Sequence, residues 1–282
     1  MNGILVVNKE RDMTSRDVVN IATKTLNTKK IGHTGTLDPI AEGVLVLTVG
    51  KYTRLGEMLT ALDKEYIVTV KLGISTDTFD ITGNIISEVN NYELTKKRLV
   101  EVLNGFKKTY LQTVPIYSAV KVNGKKLYEY ARANEEVELP QKEVTIKSIE
   151  LLSFNEEEFV FKTKVTKGTY IRSLINDISE IIDIPCTMSG LKRTEQGIFK
   201  LDEDTNTIID LKENNLKWYD IDDLFKEQKE QITDEILLKK VMNGAVLDNV
   251  HNKEFVAYFY EQELIAIYKK DRDKLKAYKV FN

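Results

Sequence analysis

The sequence contains few of the side chains that form disulfides or bind transition metals: one of its 282 residues is cysteine and two are histidine. The single cysteine, Cys186, excludes an intrachain disulfide and a cysteine-rich zinc site. The histidines, His33 and His251, lie too far apart in the sequence to favour a histidine metal cluster. We therefore predict no metal site and interpret Cys186 as an inert, packed thiol.

Long apolar runs are also lacking, since no stretch approaches the roughly 18 consecutive apolar residues of a membrane helix. The N-terminus has none of the basic, apolar and small-residue segments of a signal peptide. Neither a repeat of about 20 to 50 residues nor a low-complexity segment is present, which argues against solenoids and propellers. With 42% hydrophobic and 30% charged residues, the composition is typical of a soluble globular protein, expected in the cytoplasm and not in a membrane.

The charge is unevenly distributed. The formal net charge of −3 argues weakly against a nucleic-acid partner. However, residues 202–235 carry twelve acidic and four basic side chains, whereas residues 159–176 carry four basic side chains and no acidic one. Further basic clusters lie within residues 9–30 and 121–132. Such clusters are typical either of solvated lysines or of a surface that binds a polyanion.

Hydrophobic spacing predicts a mixed α+β order of elements. Strands are predicted at residues 4–8, 44–49, 66–72, 144–154 and 159–166. Helices are predicted after Thr14-Ser15 and over the apolar positions Leu55, Met58, Leu59 and Leu62. Two more are predicted, one between Leu99 and Phe106 with Thr95 near its start and Gly105 near its end, and one from Ile171 to Ile182 with Thr169 as N-cap.

The remaining segments differ from this core in their amino-acid composition. Residues 113–143 are polar, basic and rich in tyrosine, so we predict an insertion that projects from the core. The acidic stretch at 202–235 predicts a connector with short helices. Beyond it, a helix at 236–242 and strands at 246–250, 255–260, 264–268 and 277–281 predict a small β-rich unit. About fifty residues seldom bury enough surface to be stable alone, so this unit is expected to pack on the larger domain.

A glycine-punctuated loop, Gly-His-Thr-Gly-Thr-Leu-Asp-Pro-Ile-Ala-Glu-Gly-Val-Leu at residues 32–45, holds one carboxylate, that of Asp38. Pro39 disfavours the α region at Asp38, so the backbone of Asp38 is expected in an extended or turn conformation, which restricts its carboxylate. It is either an ordinary solvated turn or a candidate nucleophile. Arg172 lies in the first turn of the predicted helix at 171–182, where a cation opposes the helix dipole, and this placement suggests an anionic neighbour.

Four long segments, in order along the chain, together resemble the TruB family of tRNA pseudouridine synthases. They are the loop at 32–45, Lys-Glu-Tyr at 64–66 with the segment at 72–80, the insertion motif at 115–132, and Lys-Gly-Thr-Tyr-Ile-Arg-Ser-Leu at 167–174. Leu-Lys-Arg at 191–193 resembles a further pocket segment of that family. The likeness spans nearly the whole chain.

The resemblance implies a fold and a division into domains. The fold is a mixed, largely antiparallel sheet of the pseudouridine synthase type with flanking helices and an RNA-gripping, thumb-like insertion at about 113–143. The implied catalytic domain covers residues 1–230, and residues 231–282 form a small PUA-like RNA-binding domain. The implied reaction isomerises uridine to pseudouridine at position 55 in the T-stem-loop of tRNA, by a monomer without metal or organic cofactor.

The resemblance also implies roles for particular residues. The family's catalytic aspartate corresponds to Asp38, which attacks either the sugar or the base of a nucleotide flipped out of the tRNA. Arg172 would pair with Asp38 and favour its ionised form. The remaining implied substrate-binding residues are Tyr66 and Tyr170, which would hold the base, together with His33, Leu191 and Lys9.

Two departures from the family pattern concern loop shape. Asp12 stands where the family usually has glycine, and Asn134 stands where a glycine would follow the second alanine of the insertion motif. Neither position carries a role in the implied reaction.

Two other functions remain open from the residues. A non-catalytic protein that binds structured RNA and assists tRNA folding would need the basic surface but not the chemistry of Asp38. A carboxylate-dependent glycoside hydrolase would need a second carboxylate about 5 to 10 Å from the first, and Asp77 or Asp80 are candidates for it.

Overall fold

The computed structural model describes residues 1–250 and 252–281, so His251 lies outside the described residues. The chain forms two compact units. The first contains residues 1–38, 45–60 and those from 202 onward, and the second contains residues 39–44 and 61–201. The domain boundary predicted at residue 230 stays a prediction.

The strands, in chain order, are β1 Gly3–Lys9, β2 Ile31–His33, β3 Ala41–Val49, β4 Lys64–Leu72, β5 Ile74–Thr76, β6 Ile85–Glu88, β7 Thr109–Thr113, β8 Lys121–Val122, β9 Lys125–Lys126, β10 Gln141–Phe154, β11 Glu158–Val165, β12 Cys186–Gln196, β13 Phe199–Lys200, β14 Lys229–Gln231, β15 Leu247–Asp248, β16 Phe255–Tyr260, β17 Glu263–Asp271 and β18 Lys274–Val280. The α-helices are α1 Ser15–Thr25, α2 Gly56–Thr60, α3 Lys96–Gly105, α4 Leu127–Ala133, α5 Ile171–Ile182, α6 Ile208–Glu213, α7 Ile221–Leu224 and α8 Glu235–Met242.

The second unit is built on a sheet with the strand order β12-β4-β11-β10-β7, in which all neighbours are antiparallel. The first residues of β3, Ala41–Gly43, add a short parallel pairing with Leu191–Arg193 of β12. The alternation of β4 buries Tyr66, Val68 and Val70 on one face. With α3 and α5 packed on it, the sheet is mixed and largely antiparallel, as predicted.

Strand β12 is a central strand that the hydrophobic pattern did not predict. Its sequence, Cys-Thr-Met-Ser-Gly-Leu-Lys-Arg-Thr-Glu-Gln, does not alternate between apolar and polar residues, because its pairing with β4 is interrupted between Met188 and Gly190 and between Arg193 and Glu195. Such irregularities shift which residues share a face, so the period of two is lost in the sequence.

The insertion contains the β8–β9 hairpin and helix α4. Asn134 is the C-cap of α4 with a φ of 51°, and Asp12, in the turn after β1, has a φ of 63°. Both lie in the left-handed region, where Asn and Asp are the side chains best tolerated after glycine. The two departures from the family pattern therefore keep the backbone conformation that a glycine favours.

The first unit joins the two ends of the chain. The side-chain amide of Asn206 donates to Val6 O at 3.0 Å and Lys217 O at 2.8 Å, which fixes the connector along β1. After the predicted short helices of the connector, β14-β16-β17-β18-β15 form a five-stranded sheet whose apolar face packs with α8 around Tyr268. This curled sheet fits a small PUA-like domain.

The C-terminal sheet is anchored on the segment that follows β3. Tyr52, in a 3-10 helix over Gly50–Leu55, contacts Phe281 edge to face, with ring centroids 5.9 Å apart. Lys51 forms an ion pair with Glu263 at 2.6 Å. The predicted packing of the small β-rich part on the rest of the chain is thus present within the first unit.

Three local predictions were wrong. The apolar positions 55–62 do not form one helix, because Leu62 packs against Gly197 in the turn before β4 and only Gly56–Thr60 is α-helical. The N-cap of α5 is Tyr170, whereas the Thr169 hydroxyl donates to Thr166 O at 2.9 Å in the preceding turn. The strand predicted at 246–250 is limited to Leu247–Asp248.

Across residues 1–250 and 252–281, no helix is both long and apolar enough to cross a membrane.

Candidate active site

Asp38 ends the part of the loop that belongs to the first unit, and the residues before it are pinned to their neighbours. The buried Thr34 donates its N–H to Val46 O at 3.1 Å. Ser15, in the first turn of α1, accepts the Leu37 N–H on its Oγ at 2.9 Å and donates its hydroxyl to Leu37 O at 3.3 Å. Both backbone polar groups of Leu37 are therefore hydrogen bonded immediately before the half-buried Asp38, and this restricts the position of the Asp38 carboxylate.

Lys9 and His33 belong to the same unit. Lys9 is fully buried, and its ammonium donates to Glu10 O at 2.9 Å and Met13 O at 2.6 Å across the turn that contains Asp12. His33 is half-buried at the end of β2, in register with Leu47 of β3. A buried ammonium requires such compensation, so the turn after β1 is shaped around Lys9.

Tyr66 and Leu191 lie on neighbouring strands of the second unit. Tyr66 on β4 is in register with Arg193 of β12, and Leu191 is in register with Val68. Opposite residues of an antiparallel pair point to the same face, so Tyr66 and Leu191 are diagonal neighbours on one face of the sheet. Both side chains are buried.

Arg193 supports the same face although it is a charged residue in the interior. It is 1% exposed, and its Nε donates to Val44 O at 2.6 Å. Its own carbonyl oxygen lies so close to Gly43 that a Cβ there would be 2.2 Å away. The start of β3 and the middle of β12 thus approach more closely than any larger residue at position 43 permits.

Arg172 is buried in the first turn of α5, and in its own unit it links three segments. Its guanidinium donates to Thr78 O and to Tyr117 O, each at 3.0 Å, and its Nη1 lies 3.9 Å from the Asp80 carboxylate. Asp80 is therefore an anionic neighbour of Arg172, as expected from the position of this cation at the start of the helix. The Asp38–Arg172 ion pair stays a prediction.

Asp80 and Asp77, the two carboxylates considered for a hydrolase, are both held in a turn. Asp80 accepts the Thr82 N–H at 2.9 Å and the Thr78 hydroxyl at 3.1 Å. Asp77 accepts the backbone and side-chain N–H groups of Asn84 at 2.9 and 3.1 Å. These bonds give both carboxylates a structural role in shaping the loop at 76–84, which weakens the hydrolase alternative.

Tyr170 is half-buried at the N-cap of α5 and has no side-chain capping bond of its own. Its N–H instead donates to the side-chain oxygen of Gln112 at 2.8 Å. Sequence reasoning missed Gln112, because a single glutamine in a short strand carries no signal of a buried role.

Within residues 1–250 and 252–281, no group of three or more His, Cys, Asp and Glu side chains is arranged to hold a metal ion.

Residues 23–171 match a family model described as the TruB family pseudouridylate synthase N-terminal domain. The chain is 42% identical to a tRNA pseudouridine synthase B from Listeria welshimeri, over 99% of this chain and 97% of that protein. It is 40% identical to a tRNA pseudouridine synthase B from Fusobacterium nucleatum, over the full length of both.

Among solved structures, the fold is similar to a chain of a Cbf5-Nop10-Gar1 complex, with a TM-score of 0.72 and 25% sequence identity. The similarity covers 99% of this chain and 85% of that one. The likeness in both sequence and fold therefore extends over both units and includes every segment described above.

Proposed function

The chain belongs to the TruB family of pseudouridylate synthases, and on this premise we propose that it isomerises uridine 55 in the T-loop of tRNA to pseudouridine, with Asp38 as nucleophile. The observation that carries the proposal is the identity of about 40% over the whole chain to proteins named tRNA pseudouridine synthase B. A soluble tRNA substrate makes the cytoplasm the expected location, and we expect a monomer.

The reaction breaks the glycosidic bond between N1 and the sugar, turns the uracil and joins its C5 to the same sugar carbon. C5 loses its hydrogen as a proton and N1 takes up a proton, so the atoms balance. The reaction involves no net oxidation or reduction, so one well-placed nucleophile is sufficient, and covalent attack divides a difficult step into easier ones. The hydrogen bonds of the Leu37 backbone to Ser15 support this role for Asp38, since they fix the residue immediately before it. Arg172 is proposed to keep Asp38 ionised.

The base must leave the folded T-loop before it reacts. Base flipping costs a few kcal/mol, and stacking on an aromatic side chain returns roughly 1 to 3 kcal/mol per base. We assign this stacking to Tyr66 and Tyr170. Leu191, the diagonal neighbour of Tyr66, is proposed to contact the same base, while Lys9 supports the site and His33 occupies the space that the flipped base leaves.

The basic insertion supports the assignment of tRNA as partner. Lys126 and Arg132 each lie 5.3 Å from the ring centroid of Tyr128, and Lys125 lies 4.6 Å from that of Tyr130. Cations mixed with aromatic rings are typical of surfaces that contact nucleic-acid backbones and bases. We propose that this helix and hairpin grip the T-stem-loop.

The decisive experiment follows tritium released from tRNA labelled at C5 of uridine. The wild-type protein should release the label, and Asp38→Asn should abolish release while tRNA binding, measured by filter retention, is unchanged. Asp183→Asn is the matched control, because Asp183 is exposed at the far end of α5 and its φ of 58° suits asparagine. A transcript with cytidine at position 55 should retain its label.

Other outcomes would identify the alternatives. Binding of tRNA without any release of tritium would indicate an RNA-folding protein. Free uracil or an abasic site would indicate a hydrolase. Undiminished release by Asp38→Asn would exclude the proposed nucleophile.

A further inference from the structure

A series of hydrogen bonds between buried and half-buried polar groups connects strand β7 to helix α5. Gln112, which is 2% exposed, accepts the Tyr170 N–H on Oε1 at 2.8 Å. Its Nε2 donates to the Tyr110 hydroxyl at 2.9 Å, and that hydroxyl donates to Asp177 Oδ2 at 3.0 Å. This series of hydrogen bonds therefore begins at the N-cap of α5, passes through two side chains of β7 and returns to α5 two turns later.

The geometry of both elements explains why these residues meet. Tyr110 and Gln112 are two apart on β7, so they lie on the same face of the strand, whereas Leu111 between them is exposed. Tyr170 and Asp177 are seven apart, which places them on one side of a helix. The pairing of β7 with β10, in which Gln112 is opposite Lys142, holds the strand at the edge of the sheet.

The direction of the hydrogen bonds fixes the amide of Gln112. Asp177 accepts from Tyr110, so the phenol oxygen is left to accept from the Gln112 NH₂ group. The amide oxygen then points to Tyr170. Burial raises the pKa of Tyr110, and the nearby Asp177 raises it further, so the phenol keeps the proton that it donates. A flipped amide would place two donors against each other at Tyr170 and lose both bonds.

We propose that Gln112 is a positioning residue for the reaction, which sets the backbone of Tyr170 and hence the place of its ring, and that Tyr110 and Asp177 fix the orientation of the Gln112 amide. This inference rests on the proposed function, because it assigns the ring of Tyr170 to the flipped base. No side-chain capping bond is made by Tyr170 at the N-cap, and the Gln112 oxygen accepts its N–H. Gln112 would act on turnover through Tyr170 and not by touching the RNA.

The test is a double-mutant cycle measured by tritium release under saturating tRNA. Gln112→Met, of similar size but without polar atoms that hydrogen bond strongly, should lower kcat about 10- to 100-fold with KM within twofold of wild type, because small misplacements have effects of this size. In a Tyr170→Ala background the same substitution should change kcat less than twofold, because the ring that it positions is gone. A role in folding alone would give equal effects in both backgrounds and would overturn the proposal.

Two further variants keep the test informative. Gln112→Glu, protonated in this buried site, can still accept from Tyr170 and donate to Tyr110, so it should recover most of the kcat lost in Gln112→Met. If Gln112→Met fails to fold, Tyr110→Phe tests the same series of hydrogen bonds, with an expected fall in kcat of a few fold that also disappears in the Tyr170→Ala background. Failure of the conservative variant to recover kcat, or additivity for Tyr110→Phe, would contradict the assignment.

A control on the same helix separates stability from positioning. Ser179 donates to Ile184 O at 2.7 Å at the C-terminal end of α5, so Ser179→Ala should weaken the helix there without changing kcat. An equal fall of kcat in Ser179→Ala and Gln112→Met would overturn the proposal. If wild-type protein released no tritium, the proposed function would fail first, whereas normal release with additive variants would reject Gln112 alone.

Discussion

Gly43→Ala tests the close approach of β3 to β12. Gly43 has a φ of 101°, and a Cβ added to it would lie 2.2 Å from the carbonyl oxygen of Arg193. That oxygen belongs to the backbone of a paired strand, and the Nε bond of Arg193 to Val44 O restrains the same junction. The contact cannot be relieved by a side-chain rotation, so one of the two strands must move.

The expected loss of stability follows from two separate contributions. A non-glycine residue in this backbone region costs about 1 to 3 kcal/mol. Forcing a methyl group into a packed contact costs about 1 to 3 kcal/mol more. The free energy of unfolding should therefore fall by about 2 to 6 kcal/mol, a large share of the 5 to 15 kcal/mol that is typical of folded proteins.

Two other glycines divide this loss into its parts. Gly168 has a φ of 84° but nothing within 4 Å of an added Cβ, so Gly168→Ala measures the backbone cost alone. Gly105, at the end of α3, has neither a positive φ nor a neighbour within 4 Å, so Gly105→Ala should be neutral or stabilise by up to about 1 kcal/mol. Urea denaturation followed by circular dichroism gives the three values. A Gly43→Ala variant no less stable than Gly168→Ala would refute the steric argument.

Three further outcomes are expected. Burial lowers the pKa of Lys64 from 10.5 to about 8, and the positive charge of Arg193 contributes to this shift. Between about pH 8 and 10.5 the unfolded chain therefore holds a proton that the folded chain has lost, so the free energy of unfolding rises with pH. Lys64→Met should flatten this rise in urea midpoints measured from pH 8 to 10.5, and an unchanged slope would contradict it. Burial raises the pKa of Cys186 to about 12, so a thiol reagent at pH 8 should label it only in denaturant; rapid labelling of the native protein would show the opposite. The affinity for tRNA should fall with salt, and Lys126→Ala should reduce the slope of log K against log salt by about 1; an identical slope would remove Lys126 from the RNA contact.

Elements with strong local signals were predictable from the sequence. Helix α5 has the predicted bounds because its apolar residues recur at helical spacing, and Thr14 caps α1 as predicted. Thr95, predicted near the start of α3, is its N-cap. Strand β16 also has its predicted bounds. In each case the pattern that defines the element lies within the element itself.

Features that depend on distant residues were not predictable in this way. The pairing irregularities of β12 conceal a buried strand, and its fully buried Arg193 resembles a surface residue in the sequence. Gln112 becomes a polar contact of Tyr170 only because β7 and α5 are brought together by the sheet. The family motifs predicted the residues of the candidate site, whereas the hydrogen bonds that support these residues required the fold.

The union of both chain ends in the first unit has a consequence for protein synthesis. Asn8 N–H donates to Asn206 O at 2.8 Å, so β1 meets its connector only after about 200 further residues have been made. At about 5 to 20 residues per second, a ribosome needs about 10 to 40 s for this interval. The second unit, which ends at Leu201, is also made during that time. A nascent chain that stalls before residue 206 therefore lacks the partner that Asn8 of β1 has in the folded protein.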